Sequence, residues 1–404
     1  MKSTLVEKIL SDRCGRNVRA GDLVVAPVDG VMASDTTAPG CIRAFRAMGG
    51  SRPFDPERVV LVIDHAAPAP TAAIADLHGM MRRFAEETGV ILYEGGEGIC
   101  HHLMMDRGHV RPGSLMVGAD SHSCTWGALS AFACGMGSTD VAAIMLTGQT
   151  WLEAPRSIPV RITGCLQPGV TAKDIALEIT GRLGMAGATY RALEFFGPGV
   201  EALGIAGRIP LANMSIECGA KAGLFWGDDE NLQGDAAADW LPGIDVDLAR
   251  LAPKVAFPGR PDDVRDLDEA GHRPVQVAFI GSCTNTREED LRLAAQVLGN
   301  GRVAPGVRLL VTPASRRVFE TLLEDGTISR LSRAGATILP PGCGACVGTH
   351  MGVPGAGETV ISAANRNFRG RMGHPEAGVF LASPATVAAS ALTGRITAAA
   401  EVLS

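Results

Sequence analysis

Short apolar runs alternating with longer amphipathic stretches give the C-terminal third of the chain its rhythm. VQVAFI (275–280), VRLLVT (307–312), ATIL (336–339), ETVIS (358–362) and GVFLAS (378–383) are rich in β-branched side chains, which predicts buried strands. Between them the pattern lengthens to the helical period. One helix is expected from about Arg287 to Leu298, with Thr286 as N-cap and Glu288, Glu289 and Asp290 in the first turn. Others are expected from Val318 to Leu323 and from Pro384 to Leu392. Strands alternating with helices predict an α/β fold with a parallel, doubly wound sheet. In such sheets ligands bind beyond the carboxyl ends of the strands, so the polar residues that follow each apolar run are the first candidates for function.

The first third repeats the pattern. DLVVA (22–26), RVVLVI (58–63), VILY (90–93) and SLMVGA (114–119) are the expected strands, with a helix from Thr71 to Glu87 and a glycine-broken helix from Trp126 to Thr150 as covering layers. Most of these strands run into polar residues: Asp29 and Asp35, Asp64-His65, and Asp120-Ser121-His122. A middle segment begins with SIPVRITG (157–164), continues with a helix from Thr171 to Leu183 and reaches the strand RALEFF (191–196). An Asp-, Pro-, Gly- and Ala-rich stretch from Asp228 to Asp266 reads as a linker. Boundaries near 155 and 268 divide the chain into α/β domains 1–155, 156–267 and 268–404.

Composition narrows the function classes. The 37 basic and 43 acidic residues give a net charge of −6 without a basic block, which argues against nucleic acid as a partner. The N-terminal MKSTLVEKILSDR lacks the apolar core of a signal peptide, and no apolar run is long enough to span a membrane, so cytoplasmic residence is expected. Fifty glycines predict many tight turns and close backbone approaches. Ten cysteines in such a chain favour metal ligation or catalysis over a disulfide framework. Cys14, Cys41, Cys100, Cys124, Cys134, Cys165 and Cys218 show no ligand-like spacing and read as packed, inert thiols.

The other three cysteines each follow a predicted strand: Cys283 in GSCTNT, and Cys343 and Cys346 in PPGCGAC. They have the character of three ligands to one metal cluster. A [4Fe–4S] cube is usually held by four thiolates, so three would leave one iron open to water or to a substrate oxygen. The CxxC pair alone also fits a redox dithiol, half of a zinc site completed by His350, or a structural turn. A second constellation pairs histidine with carboxylate at element ends: Asp64-His65, His101-His102, Asp120 with His122, and Glu217. A carboxylate on one imidazole nitrogen fixes the tautomer and raises basicity, which suits a general acid for a departing hydroxide; the alternative is a set of satisfied structural histidines. His78, His109, His272 and His374 have no such neighbours and stay unassigned. A third constellation, Asn365-Arg366-Asn367 with Arg371, fits either a bidentate grip on substrate carboxylates or a solvated basic turn.

Together the strings GICHH, VGADSHSCTWGA, GMGSTD, QPGVTAKD, ATYRALEF, NMSIECGAK, GSCTNT, PGCGACVG and NRNFRGRMG resemble the aconitase superfamily, and within it the large subunits of the 3-isopropylmalate dehydratase and homoaconitase type. The resemblance covers nearly the whole chain in the right order. It implies three α/β domains around a central iron–sulfur site, with a [4Fe–4S] cluster on Cys283, Cys343 and Cys346 whose fourth iron binds the substrate hydroxyl and a carboxylate. It further implies acid–base and water-handling pairs Asp64-His65, His101 with Asp120, and His122 with Glu217. Ser121 and Asn213 would line the site, Asn285 and Asn365 would support the cluster, and Arg366 and Arg371 would bind substrate carboxylate. The implied reaction removes water from a hydroxy di- or tricarboxylic acid and adds it back in the opposite sense, as between 2- and 3-isopropylmalate. Citramalate, dimethylmalate and homoaconitate are alternative substrates.

Three positions depart from the family pattern. His102 replaces the glutamine of GIxHQ; Ser34-Asp35 stands where His-Asp or Gln-Asp is usual, which makes Ser34 a candidate contact to the substrate side chain; and Ala345 replaces a proline inside the CxxC loop. The swivelling fourth domain of full-length aconitases, source of the serine base, has no counterpart before Ser404. A small-subunit partner supplying that domain and base is therefore expected. Readings from other classes are an apo-form RNA-binding protein and a zinc or thiol-redox scaffold.

Overall fold

The computed structural model describes residues 2–403 and contains three sheets that are wholly or mainly parallel. The first runs in the order Ile91–Tyr93, Val59–Val62, Gly30–Ser34, Leu115–Gly118, Phe132–Gly135, with every neighbouring pair parallel. The second has the order Ala222–Phe225, Ala192–Phe196, Ser157–Thr163, Ile244–Asp247, again all parallel. The third has seven strands: Val264–Asp266, Lys254–Ala256, Gly378–Leu381, Thr359–Ser362, Val277–Ile280, Arg308–Val311 and Thr337–Ile338. Only its first two strands join antiparallel, at one edge.

Strands covered by helices on both faces bury both faces, which is why Val59–Val62 and Val277–Ile280 are apolar throughout instead of alternating. The helices carry local start and stop signals. Thr71 caps Ala72–Thr88 by accepting from the Ile74 amide, and the helix ends on Gly89 in the left-handed conformation. Thr171 and Asp174 form a reciprocal capping box at the start of Ala172–Leu183. Met32 and Val60 from the first sheet, Val160 and Phe195 from the second, and Val277, Phe279 and Val360 from the third belong to one continuous buried cluster. This shared core holds the carboxyl ends of several strands around one centre. No described helix is long and apolar enough to cross a membrane.

The structure departs from the sequence expectations in places with identifiable causes. DLVVA becomes Leu23–Pro27, which pairs antiparallel with Gln149–Glu153 in a separate two-stranded ribbon. The central strand of the first sheet is Gly30–Ser34, whose glycine and short side chains conceal it although all five residues are buried. The glycine-broken helix is in fact a 3-10 segment Ser121–Leu129, a strand Phe132–Gly135 and a helix Ser138–Thr147. The stretch read as a linker contributes Ile244–Asp247 to the second sheet and Lys254–Ala256 and Val264–Asp266 to the third. Thr286 is not the N-cap: that role falls to Arg287, while the Thr286 hydroxyl donates to the Thr312 carbonyl.

Candidate active site

A cavity of about 570 Å³ opens where loops following strands of the first and third sheets meet. Cys283, Cys343 and Cys346 all line it. All ten cysteines are unpaired, and these three are buried. Cys283 follows Val277–Ile280 through Ser282, whose φ of 77° is uncommon for a residue with a side chain. The CxxC loop follows Thr337–Ile338 and depends on its glycines. A Cβ on Gly342 would stand 2.9 Å from the Asp64 carbonyl, and one on Gly344 would lie 2.4 Å from Thr312 Oγ1. The loop is tied to the first sheet by the Cys343 amide, which donates to the Asp64 carbonyl at 2.9 Å.

The surroundings of the three sulfurs suit thiolates bound to a cationic centre. Asn213 Nδ2 and Asn365 Nδ2 approach Cys283 Sγ at 3.1 and 3.3 Å, and Arg371 Nη2 approaches Cys346 Sγ at 3.5 Å. Burial pushes the Cys283 thiol up to about 11 and the Cys343 thiol also upward, so the bare pocket disfavours the charged form that ligation requires. A bound cation reverses that balance. Arg371 Nε, Asn365 Oδ1 and His101 Nδ1 are buried without a hydrogen-bond partner among the described residues. Three thiols with aimed donors and unspent polar atoms fit an iron–sulfur cluster better than a disulfide or a packed apolar core.

Histidines and carboxylates form the facing wall. His65 Nδ1 donates to Asp64 Oδ1 at 2.8 Å, which leaves Nε2 facing Asp120 Oδ2 at 3.7 Å. His101 Nε2 donates to Asp120 Oδ1 at 2.9 Å, leaving the buried Nδ1 free. His122 Nε2 donates to Glu217 Oε1 at 2.9 Å, and the His122 amide donates to Asp120 Oδ1 at 2.7 Å. Asp120 is thus shared by two histidines. Burial alone would raise its pKa, but the bonds from His101 and His122 outweigh it and hold the carboxyl well below its usual range. Burial pulls His65 down, yet the charges and hydrogen bonds of Asp64 and Cys343 together outweigh it, and its pKa lies well above the ordinary histidine value.

The ligand atoms of Asp64, His65 and Cys100 lie within 4.8 Å of one another. Both Asp64 oxygens are already engaged, one by His65 and the other by the Cys100 amide at 2.7 Å, so this group reads as an oriented Asp–His pair.

The remaining sequence candidates separate by position. Ser121, Asn365, Arg366 and Arg371 line the cavity. Arg366 Nε donates to Glu217 Oε1 at 2.8 Å, which couples the third constellation to the second. Asn213 lies behind Cys283 and accepts from Asn365 Nδ2 at 2.9 Å. Asn285 instead donates to Asp290 Oδ1 at 3.1 Å. Ser34 does not line the cavity: it is fully buried, with its hydroxyl 3.0 Å from that of Thr36, and Thr36 is the wall residue from this turn. His350 does not line the cavity either.

Sequence reasoning missed several parts. Asp35 accepts from the His65 and Ala66 amides at 2.9 and 2.8 Å and from His78 Nε2 at 3.1 Å. The expectation that His78 has no carboxylate neighbour is corrected here, because its partner is 43 residues away in sequence. His102 contacts the Cys283 carbonyl through Nε2 at 3.1 Å and Arg287 through Nδ1 at 3.4 Å. Burial and the Arg287 charge pull it to about 3, so it is a neutral spacer donating from Nε2 and accepting at Nδ1. Pro70, Thr71, Ile74 and Val347 add an apolar portion of wall that no local motif announced.

The profile of the Aconitase family (aconitate hydratase) matches residues 7–233 and 268–394. The 3-isopropylmalate dehydratase large subunit 1 of Methanopyrus kandleri is 46% identical over 98% of this chain and 99% of its own length. The protein of the same description from Thermotoga maritima is 46% identical over 98% of this chain and 99% of its length. The homoaconitase large subunit of Thermus thermophilus is 46% identical over 100% of this chain and 98% of its length.

Proposed function

The chain belongs to the aconitase family, and from that premise we propose that it is the cluster-bearing large subunit of a two-subunit hydro-lyase that interconverts 2- and 3-isopropylmalate. The observation that carries the reading is the meeting of three buried cysteines with three carboxylate-held histidines in one cavity. A [4Fe–4S] cluster held by Cys283, Cys343 and Cys346 would supply a Lewis-acidic iron for the substrate hydroxyl and a carboxylate.

The other work falls to side chains. Arg366 has Nε committed to Glu217 and keeps its terminal nitrogens for a substrate carboxylate, and Arg371 offers a second grip. His65, held by Asp64, protonates the departing hydroxyl oxygen so that it leaves as water. His101 on Asp120 and His122 on Glu217 hold that water beside the alkene and return it to the adjacent carbon in the opposite sense. Asn213 and Asn365 steady Cys283, and Ser121 lines the floor. The base that takes the carbon-bound proton comes from the small subunit, which completes the cavity with its swivelling domain.

Homoaconitate chemistry is a second reading, favoured by the equal identity to the homoaconitase large subunit. Anaerobic copurification with a small subunit, followed by iron and sulfide analysis and a panel of isopropylmalate, citramalate, dimethylmalate and homoaconitate, tests these readings. Iron and sulfide with turnover of isopropylmalate supports the first, and turnover of homoaconitate alone supports the second. Zinc without sulfide would reject both, and full activity from the single chain would reject the partner. Tight binding of RNA by the metal-free protein is not expected at a net charge of −6.

A further inference from the structure

Lys173 has no place in the chemistry above, yet it is among the largest side chains that the fold encloses completely. It stands in the first turn of Ala172–Leu183, on the second sheet's side of the molecule. Its Nζ donates to the carbonyls of Ala363 and Ala364 at 2.8 and 2.6 Å. Those residues leave the third-sheet strand Thr359–Ser362 and lead directly into Asn365 and Arg366. Asn365 reaches Cys283 Sγ, and Arg366 reaches Glu217. The neighbouring Asp174 Oδ1 accepts from the Lys254 amide at 2.9 Å, a second bolt from this helix start to the third sheet.

The charge itself is unusual. A buried ammonium is costly unless an anion compensates it, and no carboxylate among the described residues lies within ion-pair distance of Nζ. Burial pulls Lys173 down to about 7, while Cys283, Asp290 and Cys346 pull the other way. Three thiolates outweigh the charge of an oxidised cubane core, so a loaded cluster is net anionic and adds to the compensation that Asp290 gives.

We propose that Lys173 is a positioning residue for the cluster site, whose enclosed ammonium fixes the Asn365–Arg366 turn against Cys283 and supplies the positive charge that balances the three thiolates. The proposal rests on the cluster reading of the cavity. It divides the role into a clamp, which acts with or without iron, and a charge, which acts only when the cluster is present.

The test uses the full chain with its small subunit, cluster-loaded and cluster-free, as wild type, Lys173→Met and Lys173→Gln. Methionine removes donors and charge, whereas glutamine keeps a shorter neutral donor. Both variants are expected to lose part of the rise in Tm that loading produces, to lose iron to a chelator about tenfold faster, equivalent to about 1.4 kcal/mol, and to shift the cluster's reduction potential negative. A residue with only a packing role would lower the Tm of loaded and cluster-free protein equally and leave the potential unmoved, and that result would overturn the proposal. If Lys173→Met does not fold, Lys173→Gln carries the same comparison. A wild-type protein without iron and sulfide would sink the cluster reading itself and this proposal with it, a failure recognisable before any variant is made.

Discussion

Replacing Asp120 with asparagine keeps the shape of the side chain and removes its charge at the point where two histidines converge. In the wild type, Oδ1 accepts from His101 Nε2 at 2.9 Å and from the His122 amide at 2.7 Å, while Oδ2 faces His65 Nε2 at 3.7 Å. A hydrogen bond to an ionised group is worth about 1.5–3 kcal/mol against about 0.5–1.5 for a neutral pair. Neutralising the acceptor of two such bonds should therefore cost about 2–3 kcal/mol of stability at neutral pH. The sign of the pH dependence follows from the depressed pKa. The wild-type carboxylate contributes fully above its unfolded value and loses that contribution as pH falls through the lower folded value, so Asp120→Asn should flatten the acid limb of a Tm-against-pH curve. The amide can also turn its NH₂ toward His101 and reverse the imidazole tautomer, with kcat of the reconstituted enzyme falling by about 10²–10⁴ and KM changing little. Calorimetry from acid to neutral pH and steady-state kinetics measure both effects. Wild-type kcat in a folded Asp120→Asn protein would refute the assignment of Asp120 as the shared anchor of His101 and His122.

Four other substitutions probe separate parts of the argument. Burial raises the Asp174 carboxyl to about 6, so the native state holds its proton more tightly than the unfolded chain, and stability should fall as pH rises from about 4 to about 6; Asp174→Asn should remove on the order of 3 kcal/mol of that dependence in denaturant titrations. Gly344→Ala places a Cβ 2.4 Å from Thr312 Oγ1 at a φ of 59°, and iron content after anaerobic reconstitution should drop, with about 1–3 kcal/mol lost from stability. Ser34→Ala should leave KM within about twofold, whereas Thr36→Val, which alters the wall itself, should raise it by about tenfold, the cost of one lost hydrogen bond; a larger effect at Ser34 would mean that its hydroxyl reaches substrate.

The sequence revealed most where an element and its chemistry are contiguous. GSCTNT and PPGCGAC follow apolar runs directly, so a strand-end address for the cysteines could be read from local pattern alone. Asp64-His65 and Asp120-Ser121-His122 were visible for the same reason. Gly30–Ser34 was not, because its pairing on both edges, more than β-propensity, makes it a strand. Ser34, singled out by its departure from the family pattern, ends that strand with its hydroxyl toward Thr36 and Thr37, and Thr36 is the residue of this turn that meets the cavity.

What stayed hidden was the support behind the first set of residues, and the reason is separation along the chain. Asp35 meets His78 across 43 residues, Lys173 meets Ala363 across 190, and His102 meets the Cys283 carbonyl across 181. Buried groups of this kind have no local signature, because they complete bonds that the fold creates. They also explain how a departure from the family pattern is absorbed. His102 has one donor and one acceptor on opposite sides of a rigid ring, and the structure uses both, toward Cys283 and Arg287, so it can stand in for a side-chain amide as a neutral spacer. Lys173 has no such neutral equivalent. Its carbonyl partners satisfy its hydrogen bonds but not its charge, which is balanced by Asp290 and by the negative charge of the loaded three-thiolate site. On this account Lys173 holds the Asn365–Arg366 turn through hydrogen bonds that need no iron, while its charge gains its full counterpart only when the site is loaded.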